Sequence, residues 1–107
     1  MKTYHKIEFY VGLEFDADNK PIFFTPEHGR DTLLRFFPGL TYTKGFGSWE
    51  GSNGPVHELQ VTFTVLLEEG SVSDPVYAAR IAGEALRDAY RQSAVLTTIQ
   101  PVIAAFV

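Results

Sequence analysis

The clearest alternation of hydrophobic and polar residues runs from Glu58 to Glu68. Its apolar residues fall on one face of the segment and are Leu59, Val61, Phe63, Val65 and Leu67. A period of two is typical of a half-buried strand. The preceding segment, from Leu40 to Trp49, also reads as a strand, and a loop at 51–55 rich in Gly, Ser, Asn and Pro separates the two. The pattern therefore predicts a long β-hairpin at the centre of the fold.

Two further strands and two helices flank this hairpin in the sequence. Alternation from His5 to Phe15 predicts a first strand, and the β-rich segment from Ala94 to Val107 predicts a last one. Thr25-Pro26-Glu27 and Ser73-Asp74-Pro75 both place a capping residue before a Pro, which is typical of a helix start. The residues predicted to face inward are Leu33, Leu34, Phe36 and Phe37 in the first helix, and Val76, Ala79, Ala82, Ala85, Leu86, Ala89 and Tyr90 in the second.

The predicted order is strand, helix, strand, strand, helix, strand. Right-handed crossovers and the hairpin favour a split β-α-β arrangement with the spatial strand order 4-1-3-2. Gly45 and Gly47 in the second strand and Pro101 in the fourth are typical of edge strands, where this order places both. We therefore predict an α+β, ferredoxin-like βαββαβ domain spanning residues 1–107, with a four-stranded antiparallel sheet and two helices on one face.

The amino-acid composition argues against several classes of function. The chain has no cysteine, which excludes disulfides and thiol chemistry, and its formal net charge is −4 with no basic run. Nucleic-acid binding relies on clustered Lys and Arg, so we expect no nucleic-acid partner. No apolar stretch reaches the ~20 residues of a membrane helix. Lys6 and Glu8 interrupt the apolar pattern that a signal sequence would need near the N-terminus. We therefore expect a cytoplasmic protein without a membrane partner.

The predicted topology gathers unusual side chains at one end of the sheet, where the second strand ends and the third strand begins. The candidate ligand-binding residues at this end are Trp49, His57, Glu58, Tyr90, Arg91 and Gln92. Trp49 either stacks on a flat ligand or fills an edge of the core. Glu58 and Arg91 form an expected ion pair that either faces a ligand or ties the second helix to the sheet.

Catalytic and metal sites find little support in the sequence. His57 can act as a general base beside Glu58 or form a structural hydrogen bond, and Tyr90 lies on the inward stripe of its helix with its hydroxyl expected at the surface. No Ser-His-Asp spacing, phosphate loop or metal motif is present. His5 falls at the opposite end of the sheet from His28 and His57, so a three-histidine site is not expected. We predict no catalytic residue, no metal and no cofactor.

Four short motifs resemble a family of small bacterial domains of unknown function. They are FPGLT at 37–41, GFGSW at 45–49, HELQV at 57–61 and AYRQSAVL at 89–96. Family members carry F-P-x-G-L-T, G-x-W, a Glu before an apolar strand, and a late Y-K/R-x-x-F-x-Q-x-S-V-L, which is more compact here. The resemblance singles out Trp49, Glu58, Tyr90 and Gln92 but implies no activity. Many members begin with a secretion or lipoprotein signal, a pattern that the N-terminal residues here do not show.

The residues on the sheet face opposite the helices help to choose between the functions that remain. Its predicted residues are Tyr4, Lys6, Glu8, Tyr10, Tyr42, Lys44, Gln60, Thr62, Thr64, Thr98 and Gln100. This mixture is too apolar for an idle surface, and ferredoxin-like domains with one bare face often pair through it. We predict a homodimeric binding or interaction module without chemistry of its own. The alternative is a small-molecule-binding domain or enzyme whose site is the sheet end at Trp49, Glu58 and Arg91.

Overall fold

The computed structural model of the chain describes residues 1–51 and 53–107 and has the predicted order of elements. These are β1 (Lys2–Gly12), α1 (Pro26–Leu33), β2 (Thr41–Gly51), β3 (Gly54–Glu68), α2 (Pro75–Ala89) and β4 (Leu96–Ala104). The strands form one antiparallel sheet in the order β2-β3-β1-β4, which is the predicted order read from the other edge. The ferredoxin-like α+β prediction is confirmed, with β2 and β4 at the edges.

The hydrophobic core lies between the two helices and one face of the sheet. The central strands β1 and β3 contribute alternate, fully buried residues, namely Ile7, Phe9, Val11, Val61, Phe63 and Val65. Leu33 of α1 and Leu86 of α2 close the core from the helix side. Each such side chain stabilises the fold by about 1.5–3 kcal/mol through burial. Gly83 lets α2 approach β4, since a Cβ atom there would lie 2.8 Å from Oγ1 of Thr97.

The two helices begin at the predicted residues and differ in length. Asp74 caps α2 by accepting a hydrogen bond from the backbone N–H of Tyr77 at 3.0 Å, whereas Thr25 precedes α1 without a side-chain cap bond. The helices have 8 and 15 residues. In the part of the chain that the structure describes, no helix is long and apolar enough to cross a membrane.

Three helix residues predicted to face inward lie at the surface instead. Leu34 and Phe36 are exposed because α1 ends at Leu33, so the helical spacing no longer applies to them. Val76 is exposed on the first turn of α2, where it borders an open groove between α2 and β4. Phe15 is also partly exposed because β1 ends at Gly12 and the chain turns away. The errors therefore fall at the ends of elements.

The open face of the sheet, opposite the helices, differs from the prediction in β2. The register pairs Tyr42 with Phe63 and Lys44 with Val61, so both side chains lie on the helix side. The ring of Tyr42 lies 5.8 Å from that of Phe63, and its hydroxyl donates to Glu27 at 3.4 Å. The open face of β2 instead carries Thr41, Thr43, Gly45, Gly47 and Trp49. The predicted register was wrong by one residue because threonines and glycines give little apolar alternation.

The β2–β3 connection is tighter than the predicted loop at 51–55. Gly51 already pairs with Gly54. The φ angle of Gly54 is 110°, a backbone conformation that residues with a side chain rarely adopt. Residue 52, which falls within the predicted loop, lies outside the described residues. The tight connection carries both strands to the sheet end, where Trp49 and Glu58 lie.

Candidate functional site

Two adjoining cavities open at the end of the sheet where β1 ends and β3 begins. Their volumes are about 540 and 510 Å³, a size that accommodates a small molecule. The first lies on the open face over Gly12 and Gly47, and the second borders the loop after β1. The residues that line both cavities are Trp49, Glu58, Gln92 and Ser93. We refer to the two cavities together as the sheet-end pocket.

Glycines shape the floor of the sheet-end pocket. A Cβ atom at Gly12 would overlap the carboxylate of Glu58, and one at Gly47 would overlap Oε1 of Gln60. The side chains of Glu58 and Gln60 therefore lie flat across the neighbouring strands, in space that another residue type at 12 or 47 would fill. Gly45, on the same face, has no such neighbour within 4 Å. Two of the glycines thus serve a close approach, which is one reason that a strand contains glycine.

Glu58 combines burial with the absence of a counter-charge. It is only 4% exposed, and within residues 1–51 and 53–107 no cation or hydrogen-bond donor pairs with its carboxylate. Burial, followed by the negative charge of Glu14, raises the pKa of Glu58 above its usual value. Glu14 is held beside β3 because its Oε2 accepts a hydrogen bond from the backbone N–H of Leu59 at 2.6 Å. No side-chain oxygen in the described part of the chain is both buried and unpaired, so the carboxylate keeps contact with solvent through the pocket. A carboxylate with a raised pKa that lines a cavity is typical of functional sites.

Trp49 forms one wall of the sheet-end pocket. Its side chain folds back along β2, so that Cζ3 lies 3.4 Å from the position of a Cβ atom at Gly47. The residue is 46% exposed, which leaves part of the ring surface open to a ligand. Aromatic rings favour offset stacking on other flat groups. Trp49 is also the only tryptophan of the sequence, so its fluorescence reports on this pocket alone.

Gln92 forms the opposite wall. Its Nε2 donates to the carbonyl oxygens of Phe15 at 2.8 Å and Tyr90 at 3.1 Å. These bonds leave Oε1 facing the floor, 3.4 Å from the position of a Cβ atom at Gly12. The preceding residue, Arg91, has a φ of 55°, a left-handed conformation that is uncommon for a residue with a side chain. This turn after α2 directs Gln92 toward the sheet.

Arg91 and His57 lie away from the pocket. The guanidinium carbon of Arg91 lies over the ring of Phe24, 5.8 Å from its centroid, and the predicted ion pair with Glu58 is not formed. The left-handed turn at Arg91 explains this, because it sends successive side chains in different directions. His57 lies on the other face of β3 and is exposed, with Nδ1 2.6 Å from Oγ of Ser48. His57 therefore does not lie beside the Glu58 carboxylate as a general base, and the alternative of a structural hydrogen bond agrees with its contact to Ser48.

Tyr90 is part of the core rather than of the pocket. It is fully buried, and its hydroxyl donates to the carbonyl oxygen of Thr25 at 2.7 Å and accepts from the N–H of Gly29 at 2.8 Å. Burial raises the pKa of Tyr90 to about 12. The prediction that its hydroxyl reaches the surface is wrong, since the hydroxyl joins the end of α2 to the start of α1. Tyr90 helps to position Gln92 only through its backbone carbonyl oxygen, which accepts a hydrogen bond from Nε2 of Gln92.

The pocket also contains residues that sequence reasoning did not assign to a site. Gly12, Gln60 and Glu14 shape its floor or its charge. The one signal for them in the sequence was the alternation that placed Gln60 on the open face. Over residues 1–51 and 53–107, no group of three or more His, Asp or Glu residues is arranged to hold a metal ion. The arrangement is suited to binding a flat, uncharged or positively charged molecule.

Comparisons with known proteins add solved structures of the same fold. No model of a known protein family matches the sequence, and no curated protein does. A phage SAM lyase in complex with S-methyl-5'-thioadenosine is similar with a TM-score of 0.73 and 21% identity, over 94% of this chain and 82% of that one. A phage SAM lyase in the apo state has a TM-score of 0.65 and 16% identity, over 98% and 93% of the two chains.

A third similar structure comes from a different functional class. CPII, a nitrogen regulatory PII-like protein from Thiomonas intermedia K12 bound to ADP, AMP and bicarbonate, has a TM-score of 0.54 and 13% identity. The similarity covers 98% of this chain and 97% of CPII. At such identities the comparisons establish the fold that these proteins share.

Proposed function

We propose that this chain is a small-molecule-binding module and that the sheet-end pocket holds an adenosine derivative. The observation that carries the proposal is Glu58, a largely buried residue whose carboxylate lines a pocket with an aromatic wall and pairs with no cation among the described residues. Such a group opposes folding, so its place is explained by a ligand rather than by stability. The glycines that make room for it support the same interpretation.

The choice of an adenosine derivative draws on the similar structures. One contains S-methyl-5'-thioadenosine and another contains ADP and AMP, so an adenosine group is common to both. In the sheet-end pocket, Trp49 offers a surface on which a purine can stack, a contact worth about 1–3 kcal/mol for nucleic-acid bases. The carboxamide of Gln60 offers a donor and an acceptor for the edge of the base or for the ribose, whereas Gln92, whose Nε2 already donates to Phe15 and Tyr90, offers the acceptor Oε1.

Fluorescence of Trp49 provides the direct test of this function. S-methyl-5'-thioadenosine is titrated into the protein, and thermal unfolding is measured in parallel with and without 5 mM ligand. We expect saturable quenching and a rise in the unfolding temperature, because the ligand binds only the native state. Unchanged fluorescence and an unchanged unfolding temperature would remove the proposal.

Incubation with S-adenosylmethionine, followed by chromatography, extends the test to catalysis. Release of S-methyl-5'-thioadenosine together with homoserine lactone, faster than in a protein-free control, would assign lyase activity, whereas intact S-adenosylmethionine leaves a binding module.

Self-association through the open sheet face is a second candidate function. A groove of about 710 Å³ lies on this face at the end away from Trp49, and its apolar lining residues include Leu40, Leu66, Val102 and Phe106. Exposed apolar surface of this kind favours a homodimer. Sedimentation of the wild type is compared with that of Leu66→Glu, which places a charge on a residue that is 38% exposed. We expect a dimer that the substitution separates, and a wild-type monomer at 100 µM would contradict the candidate.

A further inference from the structure

The charged groups around the sheet-end pocket are all negative among the residues that the structure describes. Glu58 lies in the floor, Glu14 is near enough to raise its pKa, and Asp16 lines the cavity beside the loop after β1. The described lining of both cavities includes no Lys, Arg or His. The cation expected there from the sequence, Arg91, lies over Phe24 instead. A ligand that enters this pocket therefore meets negative charge alone.

A positively charged group on a ligand supplies the counter-charge that Glu58 lacks. When a carboxylate is partly removed from water, as the Glu58 carboxylate is, a cation at contact distance restores part of the lost free energy, whereas an anion adds repulsion. The preference is strengthened by the burial of Glu58, because the interaction of two charges weakens as solvent screens it. Trp49 acts in the same direction, since the face of an indole ring attracts cations.

We infer that the sheet-end pocket selects ligands that carry an ammonium or sulfonium group and rejects phosphorylated ones, with Glu58 as the counter-ion. This selectivity rests on the proposed function for the pocket, but it does not depend on the adenosine part of the ligand. It distinguishes the chain from CPII, whose structure contains ADP and AMP. The same fold would then serve ligands of opposite charge through different side chains at the sheet end.

Adenosines that differ only at the 5' position test the selectivity at pH 7.5. The 5'-methylthio derivative is neutral, 5'-amino-5'-deoxyadenosine is an ammonium ion, and the 5'-monophosphate is an anion. The 5'-dimethylsulfonio derivative carries a sulfonium and no other charge. By Trp49 fluorescence we expect the ammonium derivative to bind at least tenfold more tightly than the methylthio derivative and the monophosphate at least tenfold more weakly. The preference should shrink as salt rises from 20 to 500 mM. Comparison of the ammonium with the sulfonium ligand shows which cation the pocket favours.

Glu58→Gln keeps the size of the side chain and removes its charge. We expect this variant to bind the ammonium and methylthio derivatives with similar affinity, so that the tenfold preference is lost. Glu50→Gln is the matched control, because Glu50 is an exposed carboxylate near the same end of the sheet that does not line the pocket. It changes the net charge equally and should leave the preference unchanged. A preference that survives in Glu58→Gln would overturn the assignment of Glu58 as counter-ion.

The two proposals fail in distinguishable ways. If the neutral, cationic and anionic adenosines bind equally, the selectivity is overturned and the adenosine-binding function stands. If none binds, that function fails, and the charge preference is measured with tetramethylammonium, tert-butanol and pivalate, which are small probes of similar shape with positive, zero and negative charge. Quenching by the cation that Glu58→Gln abolishes would support the selectivity. Equal quenching by all three probes, or none, would overturn it.

Discussion

The two ends of the open sheet face are both concave, but they differ in whether their carboxylates are paired with cations. At the end near β4's last residues, a groove of about 710 Å³ has a mainly apolar lining. The carboxylates in that half of the face are paired, Glu68 with Lys2 at 3.0 Å and Glu8 with Lys6 at 3.8 Å. At the sheet-end pocket, Glu58 is more deeply buried than either and has no cation in the described part of the chain.

This difference distinguishes carboxylates that are compatible with a stable fold from one that opposes folding. Exposed ion pairs contribute little free energy, typically up to about 1 kcal/mol, but they leave no unpaired charge. Glu58 lacks this compensation, and two nearby positions remain glycine where a side chain would displace Glu58 or Gln60. One end of the face is therefore suited to an apolar partner surface, and the other is suited to a small ligand with complementary charge.

The largest expected effect comes from filling the floor of the pocket with Gly12→Val. The new side chain overlaps the carboxylate of Glu58, so we expect a loss of about 1–3 kcal/mol in the free energy of unfolding, as for other overpacked sites. Ligand binding should fall below detection. Gly45→Val is the matched control, because a Cβ atom there meets nothing within 4 Å. Urea denaturation and calorimetric titration measure both quantities, and equal effects of the two substitutions would contradict the role of Gly12.

A smaller effect is expected from Trp49→Leu, which removes the aromatic wall. Loss of stacking should weaken adenosine binding by about 1–3 kcal/mol, or roughly fivefold to a hundredfold, with little change in stability because Trp49 is half-exposed. Phe46→Leu is the control, since Phe46 is an 84% exposed aromatic residue on the other face of β2. Calorimetry replaces fluorescence here because the variant lacks the probe. Equal weakening by both substitutions would show that Trp49 is not a binding surface.

Glu58→Gln should stabilise the free protein at high pH. Folding raises the pKa of Glu58, so the native state holds this proton more tightly than the unfolded chain, and ionisation favours unfolding. The destabilisation is absent below the ordinary glutamate pKa and appears as the pH rises through the raised value. The nearby negative charge of Glu14 adds to it. At pH 8 we expect the variant to unfold about 2–6 °C above the wild type.

Measurements at lower pH complete this prediction. As the pH falls below the ordinary glutamate pKa, the two unfolding temperatures should converge, because Glu58 becomes protonated in both the folded and the unfolded state. Glu50→Gln should follow the wild type throughout. A wild type that is more stable than Glu58→Gln at pH 8 would indicate that Glu58 has a structural partner, and the contrast between the two ends of the face would disappear.

The smallest effect is expected at the apolar end, from Phe106→Ala. Phe106 is 82% exposed, and its ring meets that of Tyr4 edge-on at a centroid distance of 5.9 Å. Loss of this contact should lower the free energy of unfolding by about 0.5–1.5 kcal/mol. Ligand affinity at the other end should not change, whereas self-association, measured by sedimentation, should weaken. A change in ligand affinity would show that the two ends are coupled.

The fold could be predicted because its central strands alternate strongly and its edges carry Gly and Pro. The faces of β1 and β3 follow from Phe9 and Phe63 and their neighbours, all of which the core buries. The face of β2 could not be predicted in the same way. Its residues include Thr43, Gly45 and Gly47, for which neither face is favoured by burial, and the register is set by pairing with β3.

The location of the candidate site could be predicted more readily than its contacts. Topology alone brings Trp49, Glu58 and Gln92 to one end of the sheet, and all three line the pocket. The direction of Arg91 depends on a left-handed backbone at a residue that is not glycine, for which the sequence gives no signal. The close approach of Glu58 to Gly12 likewise joins residues far apart in the chain, so it requires the three-dimensional register.

The most direct test of the account is the ionisation of Glu58 itself. Carbon-13 NMR titration of the glutamate carboxyl groups, with Glu58→Gln to assign the resonance, measures its pKa without and with 5'-amino-5'-deoxyadenosine. We predict that Glu58 titrates above the usual glutamate value in the free protein and that the cationic ligand lowers its pKa. A Glu58 carboxyl that titrates at the usual value, and does so equally with and without the ligand, would contradict the claim that this sheet end is a site for positively charged molecules.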